Sequence, residues 1–399
     1  MRLNLSMKTA IHRRQALFAF FLLTGLAVAS WVTRTPAIRD QLGVSIAEMG
    51  LILFSISVGA MTGILSSGKL VQHWGTKPVI RVGMLTLLVG LGVMAAGLAL
   101  TLALLVALGL MVFGLGIGLG EIALNVEGAE VERITHKPAL AMLHAGFSLG
   151  TFLGGIVGIG LASIAFPVTW HVALTALAGV PVVLWGLRAI PAGVGIESPK
   201  SGQSILRQET AQPFKPWRDL QLMCISLIVL GMALAEGSAT DWIPILMVDE
   251  HHFSAAIGSM IYTGFAGMMA LGRFSGHYFL ERYSRVSVVR ASALLGVIGI
   301  GMVIFANHPY VAAAAVLFWG LGTSLGFPLT ISAAGDTGDG GHSTARVSIV
   351  ATAGYVAFLA GPPLLGFIGE HYSLRHALLV VLFFVGLAFF LARAVSPRS

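Results

Sequence analysis

Long apolar runs alternate with short polar breaks along the whole chain. A helix that crosses a bilayer needs about 20 mostly apolar residues, and twelve stretches meet that need. Their cores lie at 16–38, 47–68, 79–99, 102–126, 139–163, 168–190, 220–247, 256–279, 287–306, 310–333, 347–369 and 375–394. Hydrocarbon offers no partner to a backbone N–H or C=O, so runs of this length predict helices that satisfy their own backbone. The pattern predicts an all-α membrane protein with twelve transmembrane helices. The first run follows Arg13 and Arg14 and contains Ala27-Val28-Ala29, which mimics a signal-peptidase site. Because it continues past those small residues and eleven spans follow, it is read as a retained span.

Composition agrees. Of 399 residues, 56% are hydrophobic and 10% charged, whereas a soluble domain carries about 25% charge. This excludes a disordered chain, a disulfide scaffold and a secreted soluble enzyme. The single cysteine, Cys224, lies in an apolar run and reads as a buried spectator thiol. A net charge of +7 would suit nucleic acid, but the basic residues form short clusters between spans, the pattern that orients a membrane protein. With the N-terminus inside, 20 of the 24 Lys and Arg fall on that side, three (Arg34, Arg39, Arg375) fall opposite, and Arg273 sits near a helix end. The asymmetry places both termini in the cytoplasm. Residues 191–219, rich in Pro, Ser, Gln and mixed charge, read as a cytoplasmic linker between a six-helix half at 1–190 and another at 220–399.

The halves repeat. Gly114-Leu115-Gly116-Ile117-Gly118-Leu119-Gly120 in span four matches Gly320-Leu321-Gly322-Thr323-Ser324-Leu325-Gly326 in span ten at an offset of 206. Ala145-Gly146-Phe147 in span five matches Ala353-Gly354-Tyr355 in span eleven at 208, and the segment from Gly68 to Lys77 after span two matches that from Gly276 to Arg285 after span eight, again at 208. Three matches in register at corresponding spans indicate a duplication. Six spans per half make the repeats parallel, with a ligand site expected near the midplane.

The Gly-x-Leu-x-x-x-x-Gly-x-Lys segment from Gly68 to Lys77 resembles the signature after the second helix of the major facilitator superfamily, although Gln72 and Leu280 stand where that family usually has Asp. Trp31 to Asp40, Glu121 to Arg133, Glu236 to Trp242 and Gly322 to Ala333 resemble the YbjJ-type bacterial inner-membrane branch. More distantly, Glu121-Ile122-Ala123-Leu124-Asn125 and Gly272-Arg273-Phe274-Ser275-Gly276 are similar to fucose permease. The resemblance implies twelve helices in two halves, a small-molecule substrate and a proton-coupling role for Glu121. The acid that fucose permease carries in its first helix falls here at Val32.

A charge at the bilayer centre costs upwards of about 2.5 kcal/mol, so each ionisable residue within a span is a candidate. Glu121 shares a face of span four with Gly118 and Asn125, and Phe327 takes its place in span ten, so the polar function is expected on one side only. His144, Ser148 and Thr151 form a polar stripe on span five, with Glu236 near the middle of span seven. Trp31, Trp242, Phe327 and Tyr355 could stack on a ring or pack as apolar neighbours. Arg34 reads as the partner of Asp241 in an outer gate, as the partner of a substrate carboxylate, or as a side chain snorkelling to the headgroups. Asp241 could instead cap a helix. Gly68, Gly75, Lys77, Gly276 and Arg273 fall where an inner gate is expected.

No Walker sequence is present, the Gly-x-Gly runs lack a preceding strand, and His251-His252 reads as a solvated pair, so no cofactor and no metal are expected. Nor does a nucleophile meet a base at plausible depth, which argues against an enzyme. The expected function is a monomeric secondary transporter that moves a sugar, a sugar-like solute or an organic acid with protons, by alternating access. Span five lacks the Gly-Pro pair frequent in drug antiporters, but Gly361-Pro362-Pro363 puts one in span eleven. A proton-driven efflux pump is thus the alternative, and a membrane sensor without turnover the third.

Overall fold

The computed structural model describes residues 2–135, 140–196, 216–336 and 343–396. Lys137, Arg398 and the central part of the expected linker, 197–215 with Lys200, Arg207 and Lys215, lie outside the described residues. Twelve helices among the described residues are long and apolar enough to cross a membrane. The chain divides into two compact units, Met1–Ser45 with Leu51–Ser201, and Ile46–Gly50 with Gly202–Ser399.

The first unit is built on α1 (Arg2–Val32), the short α2 (Thr35–Leu42), α3 (Ile46–Trp74) from Leu51 onward, α4 (Thr76–Ala99), α5 (Ala103–Thr135), α6 (Leu140–Ser163) and α7 (Val168–Ala189). The second holds α8 (Leu220–Asp249), α9 (Ala255–Arg282), α10 (Arg285–Phe305), α11 (Pro309–Thr323), α12 (Gly326–Asp336), α13 (Ser343–Tyr372) and α14 (Leu374–Leu391). Short 3₁₀ turns stand before α8, at Pro216–Arg218, and after α14, at Ala392–Val395.

Two spans depart from the uninterrupted helices expected of them, and proline explains both. The first does not run to 38. Pro36 has no N–H to give the Val32 carbonyl; the Thr35 hydroxyl donates to it instead at 3.0 Å, and the chain turns at Thr33–Arg34 before restarting as α2. Span ten breaks at Ser324–Leu325 into α11 and α12, four residues ahead of Pro328. Elsewhere glycine sets the packing. A Cβ on Gly116 would lie 2.6 Å from the Gly83 carbonyl oxygen, and one on Gly322 would lie 2.7 Å from the Gly296 Cα, so α5 meets α4, and α11 meets α10, backbone to backbone. Gly146 and Gly150 seat α6 on α1 in the same manner, against Phe18 and Leu22.

The duplication extends to loop staples on the face away from the chain ends of each half. Gln41 Nε2 donates to the Leu98 carbonyl at 2.8 Å and to Thr169 Oγ1 at 3.1 Å. In the second half, Arg375 Nη2 donates to the Ala306 carbonyl at 2.8 Å and to His251 Nδ1 at 3.1 Å. Leu98 and Ala306 are 208 apart in sequence, and Thr169 and Arg375 are 206 apart.

Candidate functional site

In the first unit, α5 continues unbroken past its glycine run and presents Glu121 midway along the span, exposed rather than packed. One turn on, Asn125 Nδ2 donates to the Glu121 backbone carbonyl at 2.9 Å. The amide oxygen of Asn125 is then free to accept from His144 Nε2 at 3.0 Å, which fixes the proton on Nε2. The His144 ring leans on Phe21 of α1, centroids 5.0 Å apart. Glu121, Asn125 and His144 therefore form one polar ledge across α5 and α6. Ser148 and Thr151 are less available than their spacing suggested: their hydroxyls donate to the His144 and Phe147 carbonyls of their own helix.

In the second unit the chemistry is ionic. Arg273 Nη2 reaches Glu236 Oε1 at 2.9 Å, bridging α9 to α8. Its Nε also donates, at 3.4 Å, to the Ser324 carbonyl at the break between α11 and α12. The missing N–H of Pro328 leaves that carbonyl without its helical donor. One guanidinium thus serves both a carboxylate and a broken helix. Buried Tyr262 of α9 shares this region with Thr240, Asp241 and Glu236 of α8. Burial of the apolar body of Trp242 is nearly complete, at 1% exposure. Phe327 lies against Gly354, where a Cβ would come within 2.6 Å of the ring, and half-buried Tyr355 follows on α13.

The other sequence candidates are dispersed. Trp31, 2% exposed, packs edge-on to Phe113 at 6.5 Å as a core residue of the first unit. Arg34 is 5% exposed, and its Nη2 donates to the Phe166 carbonyl at 2.5 Å. Its surroundings disfavour charge and pull the guanidinium below the ordinary arginine value, because burial strips water from it. Gly75, with φ of +81°, turns the chain into α4 in a conformation that glycine adopts without strain. Gly68 has open space on its Cα, half-buried Lys77 lies in the first turn of α4, and Gly276 packs beneath Leu325 at the span-ten break.

Sequence reasoning passed over one feature of each half. Arg13 of α1 and Glu127 of α5, both buried, form an ion pair, and Thr76 Oγ1 donates to Glu127 at 2.5 Å. Position 219, which is 206 beyond Arg13, carries Asp219, and it pairs with buried Arg346 of α13. The two halves therefore anchor the start of their first span with opposite charges on different partners. In the sequence Arg13 reads as a topology charge and Glu127 as part of a resemblance segment. Their apolar neighbours, at helical spacing, were the available sign of burial. Among the described residues no group of three or more His, Cys, Asp or Glu side chains gathers to hold a metal.

The sequence matches the description of the Major Facilitator Superfamily over residues 16–278 and 225–399. The chain belongs to the major facilitator superfamily. An uncharacterised transporter of Sinorhizobium fredii is 29% identical over 385 residues, covering 94% of this chain and 96% of its own. Among solved structures, a mutant of the nucleoside transporter NupG superposes with a TM-score of 0.77 at 14% identity, over 96% of this chain and 98% of that one. The transporter FucP, in its outward conformation, superposes at 0.64 and 16% identity, over 98% and 100%. As a superfamily member with twelve spans, the protein is a multi-pass membrane transporter and not an enzyme.

Proposed function

We propose that this transporter carries a small polar solute, a sugar, sugar-like compound or organic acid, together with protons, and that Glu121 is the proton-exchanging group. The observation that carries the reading is the ledge of Glu121, Asn125 and His144: an exposed carboxylate midway along a span, beside an amide and an imidazole that can meet hydroxyls. A carboxylate at that depth is costly unless it faces a polar space and does work there. Glu236 and Arg273 supply a second polar cluster with which a hydroxylated or anionic solute can exchange partners. The fold relatives include a nucleoside transporter and a fucose:proton symporter, whose solutes are a sugar or carry one.

In this reading the halves 1–190 and 220–399, joined by the linker 191–219, rock to give alternating access. Arg34 and Asp241 act as an outer gate pair of the cycle; on the inner side Gly75 makes the turn into α4, with Gly68 in α3, Lys77 in α4 and Gly276 in α9 as the further gate residues. The 20 to 3 distribution of basic residues supports an inner-membrane location with both termini cytoplasmic. Substrate contacts are assigned to Asn125, His144, Glu236, Phe327 and Tyr355, while Trp31 and Trp242 are buried packing residues and Arg34 is kept for the gate. Arg273 acts from the substrate cluster as well as from the gate region.

The test is current from proteoliposomes on a solid-supported membrane, across sugars, sugar acids, carboxylates and cationic drugs, with Glu121→Gln alongside. Solute-driven current that disappears in Glu121→Gln while binding persists supports the proposal. Silence for polar solutes with proton-driven drug currents overturns it in favour of efflux.

A further inference from the structure

The second unit holds a cavity of about 420 Å³ between α9, α10 and α11. Its size falls in the range of about 300–1,000 Å³ typical of small-molecule sites. The wall from α9 is a single helical stripe, Gly272, Ser275 and Phe279, continued by Tyr283 just past the helix end. Polar solutes would find little there. Ser275 and Ser324 donate their hydroxyls to the Gly272 and Leu321 carbonyls at 3.2 and 2.7 Å, and the Ser287 hydroxyl is bonded to that of Ser284 at 2.9 Å. What remains facing the space is carbon, from Phe279, Leu295, Leu321 and Leu325. A group that needs hydrogen bonds would leave water without replacing them, whereas a hydrocarbon chain pays no such cost.

The mouth identifies the depth. Phe279 and Tyr283 line the cavity yet are 42% and 58% exposed, and exposed Tyr278 stands next to them. Aromatic rings clustered at a span end mark the membrane–water interface. Charge at this rim is basic. Arg282 is exposed and sits over Tyr278, its guanidinium carbon 3.6 Å from the ring centroid. Arg285 opens α10, where Ser284 Oγ caps the Ser287 N–H at 3.2 Å and the N–H groups of Arg285 and Val286 have no helical acceptor. The neighbouring acids are engaged, Asp336 by Arg285 at 2.7 Å and Glu281 by His277 at 2.9 Å.

We propose that this cavity is a lipid site: an acyl chain of an anionic glycerophospholipid fills it, and the phosphate rests on Arg282 and the start of α10. Apolar walls, an aromatic rim and basic charge meet at one point, as such a lipid requires. The site also touches the transport machinery. Gly272 precedes Arg273, and Ser324, whose carbonyl Arg273 holds, is part of the wall. A seated chain therefore braces the break in span ten.

The experiment uses the full chain in nanodiscs with phosphatidylglycerol carrying a diazirine in its acyl chain. Photolabelled peptides are mapped by mass spectrometry, with unlabelled phosphatidylglycerol or phosphatidylcholine as competitor. Label concentrated in 272–295 and 321–325, and displaced better by phosphatidylglycerol, is the expected result. Ala291→Trp, which fills the cavity, should remove that label. Arg282→Gln lies on the surface and leaves folding intact; it should reduce the preference for the anionic competitor by about fivefold. Label spread evenly over the spans, equal displacement by phosphatidylcholine, or an unchanged preference in Arg282→Gln overturns the proposal.

Discussion

Span four and span ten begin as copies and end as different devices. Both carry the glycine run, and in both the run presses one helix onto its neighbour: Gly116 against Gly83, Gly322 against Gly296. Beyond the run they part. Position 121 is Glu and its counterpart 327 is Phe; position 122 is Ile and its counterpart 328 is Pro. The first helix stays whole for 33 residues and displays a carboxylate, while the second breaks and offers a bare carbonyl to an arginine. The lesson is geometric. Packing occupies one face of each helix and fixes small residues there; the other face is free to acquire chemistry, and each half has acquired its own.

The largest expected effect comes from removing what only the first half has. Glu121→Gln should bring proton-driven uptake to background while leaving solute exchange without a gradient intact, read by radiolabelled solute counterflow. Placing the same charge in the other copy, as Phe327→Glu in the Glu121→Gln background, should not restore uptake, because the ledge of Asn125 and His144 has no equivalent beside α12. Recovery would show that the halves are interchangeable and would break the comparison.

Next come the shared faces. Gly116→Val and Gly322→Val each drive a branched side chain into backbone, and over-packing of this kind costs about 1–3 kcal/mol or more. Both should lower the melting temperature in detergent by similar amounts, since the two contacts are equivalent. A large loss at one and none at the other would mean that the copies do not bear load alike.

How far the sequence reveals the molecule follows the same division. Spans and repeat are legible because they depend on apolar length and on glycines at fixed offset, both properties of a linear string. The turn at Thr33 and the break at Ser324 are signalled by Pro36 and Pro328, but an uninterrupted apolar run masks them. The burial of Trp31 and Trp242 is not legible, since a helix apolar on all sides has no moment to say which face turns inward. The Glu236–Arg273 bridge is legible in retrospect. Around the turn near 252, the two lie 16 and 21 residues away on adjacent antiparallel spans, close enough for a long arginine to cover the difference. Spacing within one helix cannot display it, because the pair depends on two helices being adjacent.

That bridge gives the third prediction. Removing either partner should weaken solute binding by about 1–2 kcal/mol, and the double variant Glu236→Gln with Arg273→Gln should lose less than the sum of the two. Isothermal titration of the purified protein with its solute reads the coupling. Pro328→Ala sharpens the test by returning an N–H that competes for the Ser324 carbonyl. It should loosen Arg273 and cost less than either charge removal. Strict additivity would mean that the two side chains act separately despite the 2.9 Å contact.

The smallest effect separates the two loop staples. In the first half the staple is Gln41, which does not titrate. In the second it includes His251, which is 4% exposed and lies outside the spans. Its Nδ1 accepts from Arg375, so a proton can be added only where a cation already points. Burial first, and the Arg375 charge second, push the imidazole down to about 4 from an ordinary 6.5. Between those values the unfolded loop takes up a proton that the folded loop refuses, so stability is full above pH 6.5 and drains away as pH falls toward 4. With water close to this loop the loss should be about 1–2 kcal/mol rather than the full value of the shift. His251→Gln gives the second half a staple of the kind the first half has: its amide oxygen can accept from Arg375, and nothing titrates. Melting temperatures in detergent from pH 7 to pH 4 should fall less steeply in that variant than in the parent. Equal slopes would place the acid sensitivity elsewhere and make the two staples equivalent in their chemistry as well as in their position.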